Sequence, residues 1–336
     1  MTTAINPSLE QLGWSPFFAD QVSEKDSGLV PRRISSVHRS RVEAIDVAGS
    51  AALELPANSN TADFAVGDWI LADPLTGMFV VRLARKSLFQ RRQEGGRGQQ
   101  LVAANIDTLL IVTSCNADFH PARLERYLIM ADQAGSRPVI VLTKADTTAD
   151  VGDFQSKAEA LQRDLPVIAL NGRSADAVVS LMPWLGIGQT VALVGSSGVG
   201  KSTLVNTLTA SDSMQKTGTI SEYDAQGRHT TTARSLHAVQ GGGWVIDTPG
   251  IRTLYVSDIT DGIDTLFAEI TELAPLCRFR DCTHAHEPGC AVQDAIAKGE
   301  VDADRLERWR SLSAENSSRT PVLSGPRGNK TIKKKR

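Results

Sequence analysis

The spacing of apolar and polar positions changes character several times along the chain. Residues 1–33 carry one short helical pattern, SLEQLGWSPFFADQV, and then a turn-rich link. Between 34 and 98 the rhythm becomes short alternating runs, ISSVHRSRVEAIDV, SAALELP, GDWILADP and MFVVRLAR, punctuated by Gly, Pro, Asn and Asp. Alternation with a period of two turns one face of each run inward, and closely spaced turns fold the chain back on itself. This stretch therefore predicts a small antiparallel β-barrel, and its length fits a five-strand barrel of the oligonucleotide-binding (OB) type. From 99 to 256, continuous apolar runs alternate with helical ones. IDTLLIVTS, RPVIVLT, DLPVIAL, TVALVG and GWVIDTPG read as strands covered on both faces. PARLERYLIMADQAG reads as a helix, with Leu124, Tyr127, Leu128, Met130 and Ala131 at near-helical spacing and a glycine stop. Alternating strands and helices predict a mainly parallel sheet with its ligand at the carboxyl ends of the strands. From 257 to 313 the strands stop, and LFAEI, AVQDAIAKG and ADRLERWRSL each carry an apolar stripe. Residues 314–336 turn to Ser, Asn, Gly and Lys, the composition of a disordered basic tail.

The expected fold class is therefore multidomain α/β, with a barrel, a mainly parallel sheet and a helical C-terminal domain. Bulk composition changes this picture little. No apolar run approaches the roughly 20 residues that span a bilayer. The first residues, MTTAINPSLEQLGW, lack the basic flank and apolar core of a secretory signal. A cytoplasmic protein without membrane contact is the expectation. Net charge is −2, so the whole chain is not a polycation and DNA is not an expected partner. Charge is nevertheless local. RKSLFQRRQEGGR, residues 85–97, holds five basic residues against one Glu, and the last ten residues hold six basic residues and no acid. Arg85, Lys86, Arg91 and Arg92 are candidate partners for a phosphate backbone. The same runs also suit a solvated loop and a solubilising tail.

The sharpest chemistry lies in GSSGVGKS, Gly195–Ser202. It matches G-x-x-x-x-G-K-[ST], follows the strand TVALVG and precedes the helical run TLVNTLT. In such a loop Gly195, Ser196, Ser197, Gly198, Val199 and Gly200 curl backbone N–H groups around phosphate oxygens, and the helix N-terminus adds partial positive charge. Lys201 is expected to reach the β- and γ-phosphates and Ser202 to hold Mg²⁺, with Thr203 next to them in the first helical turn. DTPG, Asp247–Gly250, ends a later strand. Asp247 is expected to orient Mg²⁺ through water and the Gly250 N–H to meet the γ-phosphate. Between them lies GRHTTTAR, where Thr230, Thr231 and Thr232 are each candidates to complete Mg²⁺ coordination in the triphosphate state.

VLTKAD, ending in Thr143, Lys144, Ala145 and Asp146, supplies a candidate base reader. Asp146 would accept hydrogen bonds from the guanine N1 and N2 donors, a pair that adenine lacks. The Lys144 stem would pack over the ring. This motif usually follows the phosphate loop, yet here it precedes it by about 50 residues. A circular permutation explains the order, since strand order in sequence changes while strand positions in space do not. Base motif, phosphate loop, HTTT and DTPG in that succession resemble the circularly permuted GTPases. With a barrel before and a Cys/His cluster after, residues 34–312 resemble the ribosome small-subunit-dependent GTPase A family (RsgA, also called YjeQ or EngC). That resemblance implies an N-terminal OB-fold, a permuted GTPase domain and a C-terminal zinc domain. It also implies a role in late assembly of the bacterial 30S subunit. Many members have Asn where this chain has Thr143, which shifts the expected guanine selectivity onto Asp146 and predicts weaker nucleotide affinity. The loop ALNGRS, residues 169–174, lacks the Ser-Ala pair that often backs the base.

Ras-like enzymes place a water-orienting Gln just after D-x-x-G, and here that position is Ile251. An apolar side chain cannot orient water, so slow intrinsic hydrolysis is expected unless a group comes from elsewhere. The family resemblance points to His229, whose imidazole can exchange protons near neutral pH.

CRFRDCTHAHEPGC contains Cys277, Cys282, His284 and Cys290, a C-x₄-C-x-H-x₅-C pattern. Three thiolates and one imidazole suit tetrahedral Zn²⁺, one ion per chain, in a closed structural site. His286 is the alternative imidazole, and the family spacing selects His284. Cys115, alone in an apolar run, is expected to be a small buried hydrophobe.

The overall expectation is a monomeric GTPase that converts GTP and water to GDP and phosphate, slowly alone and faster on the 30S subunit. Its RNA partner would be 16S rRNA. Two other classes remain open at this level: a P-loop ATPase or kinase, and a zinc-stabilised RNA-binding module whose nucleotide site only gates binding.

Overall fold

The computed structural model describes residues 7–57, 59–92, 99–209, 234–247, 259–319, 323–324 and 330–331. They fall into two compact units, one up to residue 254 and one from residue 255 onward. No helix among the described residues is long and apolar enough to cross a membrane.

In the first unit the N-terminal stretch holds only a four-residue helix, α1 (Pro16–Ala19), rather than a helix over the whole of SLEQLGWSPFFADQV. Side-chain docking explains the difference. Trp14 and Phe18 stack around Trp69, with ring centroids 4.9 and 5.8 Å away. The Trp244 indole donates to Gln11 O at 2.7 Å. Tertiary contact thus overrides local helical spacing.

Strands β1 (Val30–Val37), β2 (Val42–Asp46), β3 (Gly49–Leu53), β4 (Trp69–Ala72) and β5 (Phe79–Arg82) form the barrel. β1 pairs with β2 at one end and with β4 at the other, β2 pairs with β3, and β4 pairs with β5. A bridge between Glu54 and Met78 closes the circuit from the end of β3 to the start of β5. The order 1-2-3-5-4-1 is that of a five-strand Greek-key barrel of the OB type. Ile34, Val42, Ala44, Leu53, Phe64, Ile70 and Ala72 fill it. The barrel starts at Val30, ahead of the expected residue 34, and its last strand ends at Arg82, well before 98. The basic stretch, read as a phosphate contact or a solvated loop, carries a strand: β6 (Leu88–Arg92) pairs with β7 (Gln99–Ala104) as a separate hairpin.

Beyond it, β8 (Thr108–Ser114), α2 (Pro121–Ala134), β9 (Arg137–Thr143), α3 (Val151–Glu159), β10 (Val167–Ala169), α4 (Asp176–Leu181), β11 (Thr190–Val194) and α5 (Lys201–Thr209) alternate as expected. β12 (Arg234–Ala238) and β13 (Trp244–Asp247) follow. The strand order is 10-9-8-11-13, parallel throughout, and then antiparallel through β12. Every residue of β8 and β11 is buried, as the unbroken apolar runs require of strands covered on both faces. On one face Leu110, Val112, Val139, Val141, Val191 and Leu193 pack with Leu181 of α4 and Leu204 and Leu208 of α5. α2 covers β8 and β9.

β12 also pairs with β1, so barrel and parallel sheet belong to one 11-stranded sheet and to one compact unit. Arg33 of β1 fastens this junction. Its fully buried guanidinium donates to Leu12 O at 2.7 Å and to Thr190 Oγ1, at the start of β11, at 2.6 Å. Burial lowers its pKa to about 10 against the pull of Asp107, a value at which it still carries its charge at neutral pH.

The second unit holds α6 (Thr260–Leu266), α7 (Ala268–Leu273), α8 (Ala291–Ala297) and α9 (Ala303–Arg319). α9 runs past residue 314, where the composition turns polar. Its inner face explains the extension. Leu312 and Asn316 are buried, and the Asn316 carboxamide accepts from Ile259 N at 3.1 Å and donates to Thr260 Oγ1 at 3.1 Å.

Candidate functional site

The carboxyl ends of β9, β8, β11 and β13 line one edge of the sheet. The phosphate loop leaves β11 there. Gly195 has φ 144°, and a Cβ on it would lie 2.1 Å from the Val112 carbonyl oxygen of β8. Only glycine fits that close approach. Val199 is fully buried and anchors the loop, while Ser197, Gly198 and Ser202 face solvent. Thr203 follows Ser202 in the first turn of α5. Lys201 folds back so that Nζ donates to Gly195 O at 2.8 Å and Ser196 O at 2.5 Å.

The TKAD turn stands beside this loop. Thr143 is 2% exposed, so its side chain is not a surface for a base edge. Its hydroxyl instead lies 2.5 Å from Val199 O and 3.1 Å from Thr113 O. The Thr143 hydroxyl thus ties the end of β9 to the phosphate loop. A β-branched hydroxyl at the end of β9 reaches the phosphate-loop carbonyl directly. Lys144 then adopts a left-handed conformation, φ 57°, and opens a short 3₁₀ turn over Ala145–Thr147. Thr147 Oγ1 donates to Lys144 O at 2.7 Å and closes that turn. Asp146 is exposed on it, as a base-reading carboxylate must be. The 169–174 loop is tied in as well, because Thr207 Oγ1 on α5 donates to Gly172 O at 2.7 Å.

Asp247 ends β13. Burial raises its carboxyl pKa, and the charges of His237 and Lys201 act in the opposite direction. Ser235 sits directly opposite it on β12, and the Ser235 hydroxyl meets His237 Nε2 at 2.7 Å. Gly250, His229, Thr230, Thr231 and Thr232 lie outside the described residues.

Two further polar side chains stand near the site without a sequence motif to mark them. Arg123, in the first turn of α2, donates to Ser196 Oγ in the phosphate loop. His237 stands beside Asp247. Neither belongs to a contiguous motif, and only the adjacency of strand ends brings them in.

The basic run changes meaning on folding. Arg85 forms a two-pronged ion pair with Asp68, Nε to Oδ1 at 2.6 Å and Nη2 to Oδ2 at 2.7 Å. The Asp68 side chain is completely buried. A buried carboxylate needs its cation, so Arg85 is a structural partner and not a free phosphate ligand. Lys86 places Nζ 5.1 Å from the Phe18 ring centroid and 5.8 Å from that of Phe17. Arg91 and Arg92 lie on β6. Cys115 is buried, as expected.

In the second unit, Cys277, Cys282, His284 and Cys290 bring their donor atoms within 4.8 Å of one another. Cys277 Sγ and Cys290 Sγ are 3.8 Å apart, and His284 Nδ1 is 3.5 and 3.4 Å from them. A tetrahedron with metal–sulfur bonds of ~2.3 Å has edges of ~3.8 Å, so the donor set fits such an ion. His284, not His286, joins the cluster. It is 3% exposed and left-handed, φ 60°. Its carbonyl accepts from Gln293 Nε2 at 2.5 Å and from Arg310, and Trp309 stacks edge-on at 5.6 Å. Burial lowers the His284 pKa, which keeps the imidazole neutral as a ligand must be. Burial pushes the Cys282 thiol up to about 12, with the neighbouring Cys290 and Cys277 adding to the rise. A dication reverses that preference by binding the thiolate.

The comparisons agree with this geometry. The chain is similar in fold to the crystal structure of YjeQ from Thermotoga maritima, with TM-score 0.62 and 22% identity over 85% of this chain and 98% of that one. It is also similar to YloQ, described as a circularly permuted GTPase, with TM-score 0.60 and 21% identity over 90% and 100%. Sequence relatives are nearer. A small ribosomal subunit biogenesis GTPase RsgA of Mesorhizobium japonicum is 61% identical over 98% of this chain and 96% of its own length. A second, from Vibrio parahaemolyticus, is 43% identical over 96% and 89%. The RsgA GTPase family matches residues 82–257, the span that carries the TKAD turn, the phosphate loop and Asp247. With the permuted strand order, the paired loops and these relatives together, the chain belongs to the RsgA GTPase family.

Proposed function

We propose that this protein is a GTPase of small-ribosomal-subunit biogenesis that binds the 30S subunit and uses GTP hydrolysis to drive late maturation and its own release. The reaction is GTP plus water to GDP plus phosphate. The observation that carries the reading is the junction of base motif and phosphate loop through Thr143 Oγ1 and Val199 O at 2.5 Å. That bond sets the TKAD turn and the phosphate loop side by side, as one nucleotide spanning both requires. The relatives' names supply the ribosomal role.

In this reading Gly195–Ser202 cradles the phosphates and Lys201 leaves its loop carbonyls to reach the β- and γ-oxygens. Ser202, with Thr230 or Thr231, holds Mg²⁺, Thr203 supports the first turn, Asp247 orients the ion's water, and the Gly250 N–H meets the terminal phosphate. Lys144 covers the base and Asp146 reads guanine. His229 prepares the attacking water, because Ile251 cannot. Cys277, Cys282, His284 and Cys290 hold one structural Zn²⁺. The protein acts as a monomer in the cytoplasm, and 16S rRNA is its RNA contact. GTP orders the loops around His229 and Gly250 and thereby sets the grip on the 30S subunit; hydrolysis relaxes it.

Competition binding tests the nucleotide half of the proposal. GTP and GDP should displace a fluorescent guanine nucleotide while ATP does not. Equal displacement by ATP would instead fit a P-loop ATPase or kinase. Cosedimentation tests the other half: the protein should travel with 30S subunits in a non-hydrolysable GTP analogue and remain free in GDP.

A further inference from the structure

The loop that takes the phosphates is approached by a cation that no sequence motif marks. Arg123 lies in the first turn of α2, 73 residues before Ser196, and its Nη1 donates to the Ser196 hydroxyl. Lys201 Nζ donates to the carbonyl of the same residue. Two cations therefore converge on Ser196. Among the described residues Arg123 pairs with no carboxylate, its hydrogen bond being to a neutral hydroxyl. Asp247 offsets the charge of Lys201, whereas Arg123 meets a hydroxyl that an anionic oxygen can replace.

Position decides which part of the anion it would meet. The helix end of the loop, Gly200–Ser202, cradles the inner phosphates, and Lys201 reaches toward the outer ones. Ser196 stands at the opposite end, next to the strand. A cation held there addresses the terminal phosphate. The chemistry has need of one. The water's oxygen bonds to the γ-phosphorus as the bond to the bridging oxygen breaks, that oxygen leaves on GDP, and the water's proton passes to the phosphate. Charge is spread over the γ-oxygens at the transition state, and a planar guanidinium suits them better than an ammonium. Ile251 leaves the position of the Ras-like glutamine without a polar group.

We propose that Arg123 is a cis-acting arginine of the GTP site, exchanging the Ser196 hydroxyl for the terminal phosphate. It makes and breaks no covalent bond; it binds the γ-phosphate and the charge that develops there. This rests on the GTPase reading above.

Wild type, Arg123→Ala, Arg123→Lys and Ser196→Ala in the full chain, with Mg²⁺, give the test. Affinities for GDP and a non-hydrolysable GTP analogue are measured beside single-turnover hydrolysis of GTP. Arg123→Ala should lower affinity for the GTP analogue by about tenfold or more and leave GDP within about twofold, the loss of one charge-assisted contact. Its hydrolysis rate should fall by about a hundredfold or more. Arg123→Lys, which keeps charge and fold, should recover part of the binding and little of the rate. Ser196→Ala removes only the resting partner and reports any loop-holding contribution. Equal losses of GDP and GTP analogue in Arg123→Ala, matched by Ser196→Ala, would reduce Arg123 to a loop prop and overturn the proposal. So would unchanged binding and rate. Wild-type protein that binds no GTP would remove the GTPase reading itself, an outcome visible before any variant is made.

Discussion

The nucleotide site and the Cys/His cluster solve the same problem, holding reactive atoms in place, by opposite means. At the nucleotide site the donors sit at the ends of parallel strands whose residues are buried on both faces. Internal contacts brace the loop against that scaffold, Lys201 on Gly195 and Ser196 and Thr143 on Val199. In the second unit the order is reversed. The ligands lie in irregular chain between α7 and α8, short helices of 6 and 7 residues. Their donor atoms lie within 4.8 Å of one another, beside a small apolar core that includes Ile263, Phe267, Ile270 and Val292. One site is mounted on a fold, and the other is part of what makes the fold. A ligand removed from the first should leave the structure standing, and a ligand removed from the second should not.

Metal removal gives the largest expected contrast. Chelation, or Cys282→Ala, should release one zinc per chain and unfold the helices of the second unit, since structural zinc sites contribute on the order of 10–16 kcal/mol in small domains. Hydrogen exchange should show α6–α9 losing protection while β8 and β11 keep theirs. Equal protection with and without metal would erase the distinction between the sites.

Next in size is Arg85→Ala. It strands the buried Asp68 carboxylate and should cost about 3–5 kcal/mol of stability, read by urea denaturation. Nucleotide affinity at matched folded fraction should be unchanged. A surface phosphate ligand would behave in the reverse way, with stability intact and RNA binding weakened.

Gly195→Ala comes third. Its Cβ would collide with Val112 O, so the loop must shift at a cost of about 1–3 kcal/mol of backbone strain. Calorimetric titration should show GTP binding lost while the far-UV circular dichroism of the sheet persists. Thr143→Val is the smallest. It leaves Val199 O without its hydroxyl partner, a loss of about 1 kcal/mol that should weaken guanine nucleotides about fivefold. Thr143→Ser should restore most of it.

The two regions also differ in how openly the chain displays them. The phosphate loop, the TKAD turn and the Cys/His set are contiguous patterns whose residue types and spacing state their chemistry. The alternation of strands and helices from 99 onward likewise predicts the parallel sheet that forms. What stayed hidden depends on partners distant in the chain. Arg85 reads as one charge in a basic run until Asp68, 17 residues earlier and just ahead of β4, closes on it. The tie from Thr143 to Val199, 56 residues later, has no marker in the TKAD motif itself. The segment SLEQLGWSPFFADQV suggests a helix, and docking of Trp14 and Phe18 against Trp69 cuts it to one turn. The junction of barrel and sheet through Ser36 and Ser235 has no local signature at all.

The most direct test of the account is GTP turnover by the purified protein with and without purified 30S subunits. Slow hydrolysis alone and a large rise with 30S subunits are the predicted result, with ATP inert in both conditions. Turnover that 30S subunits leave unchanged would contradict the ribosomal role and leave only a GTPase without its partner.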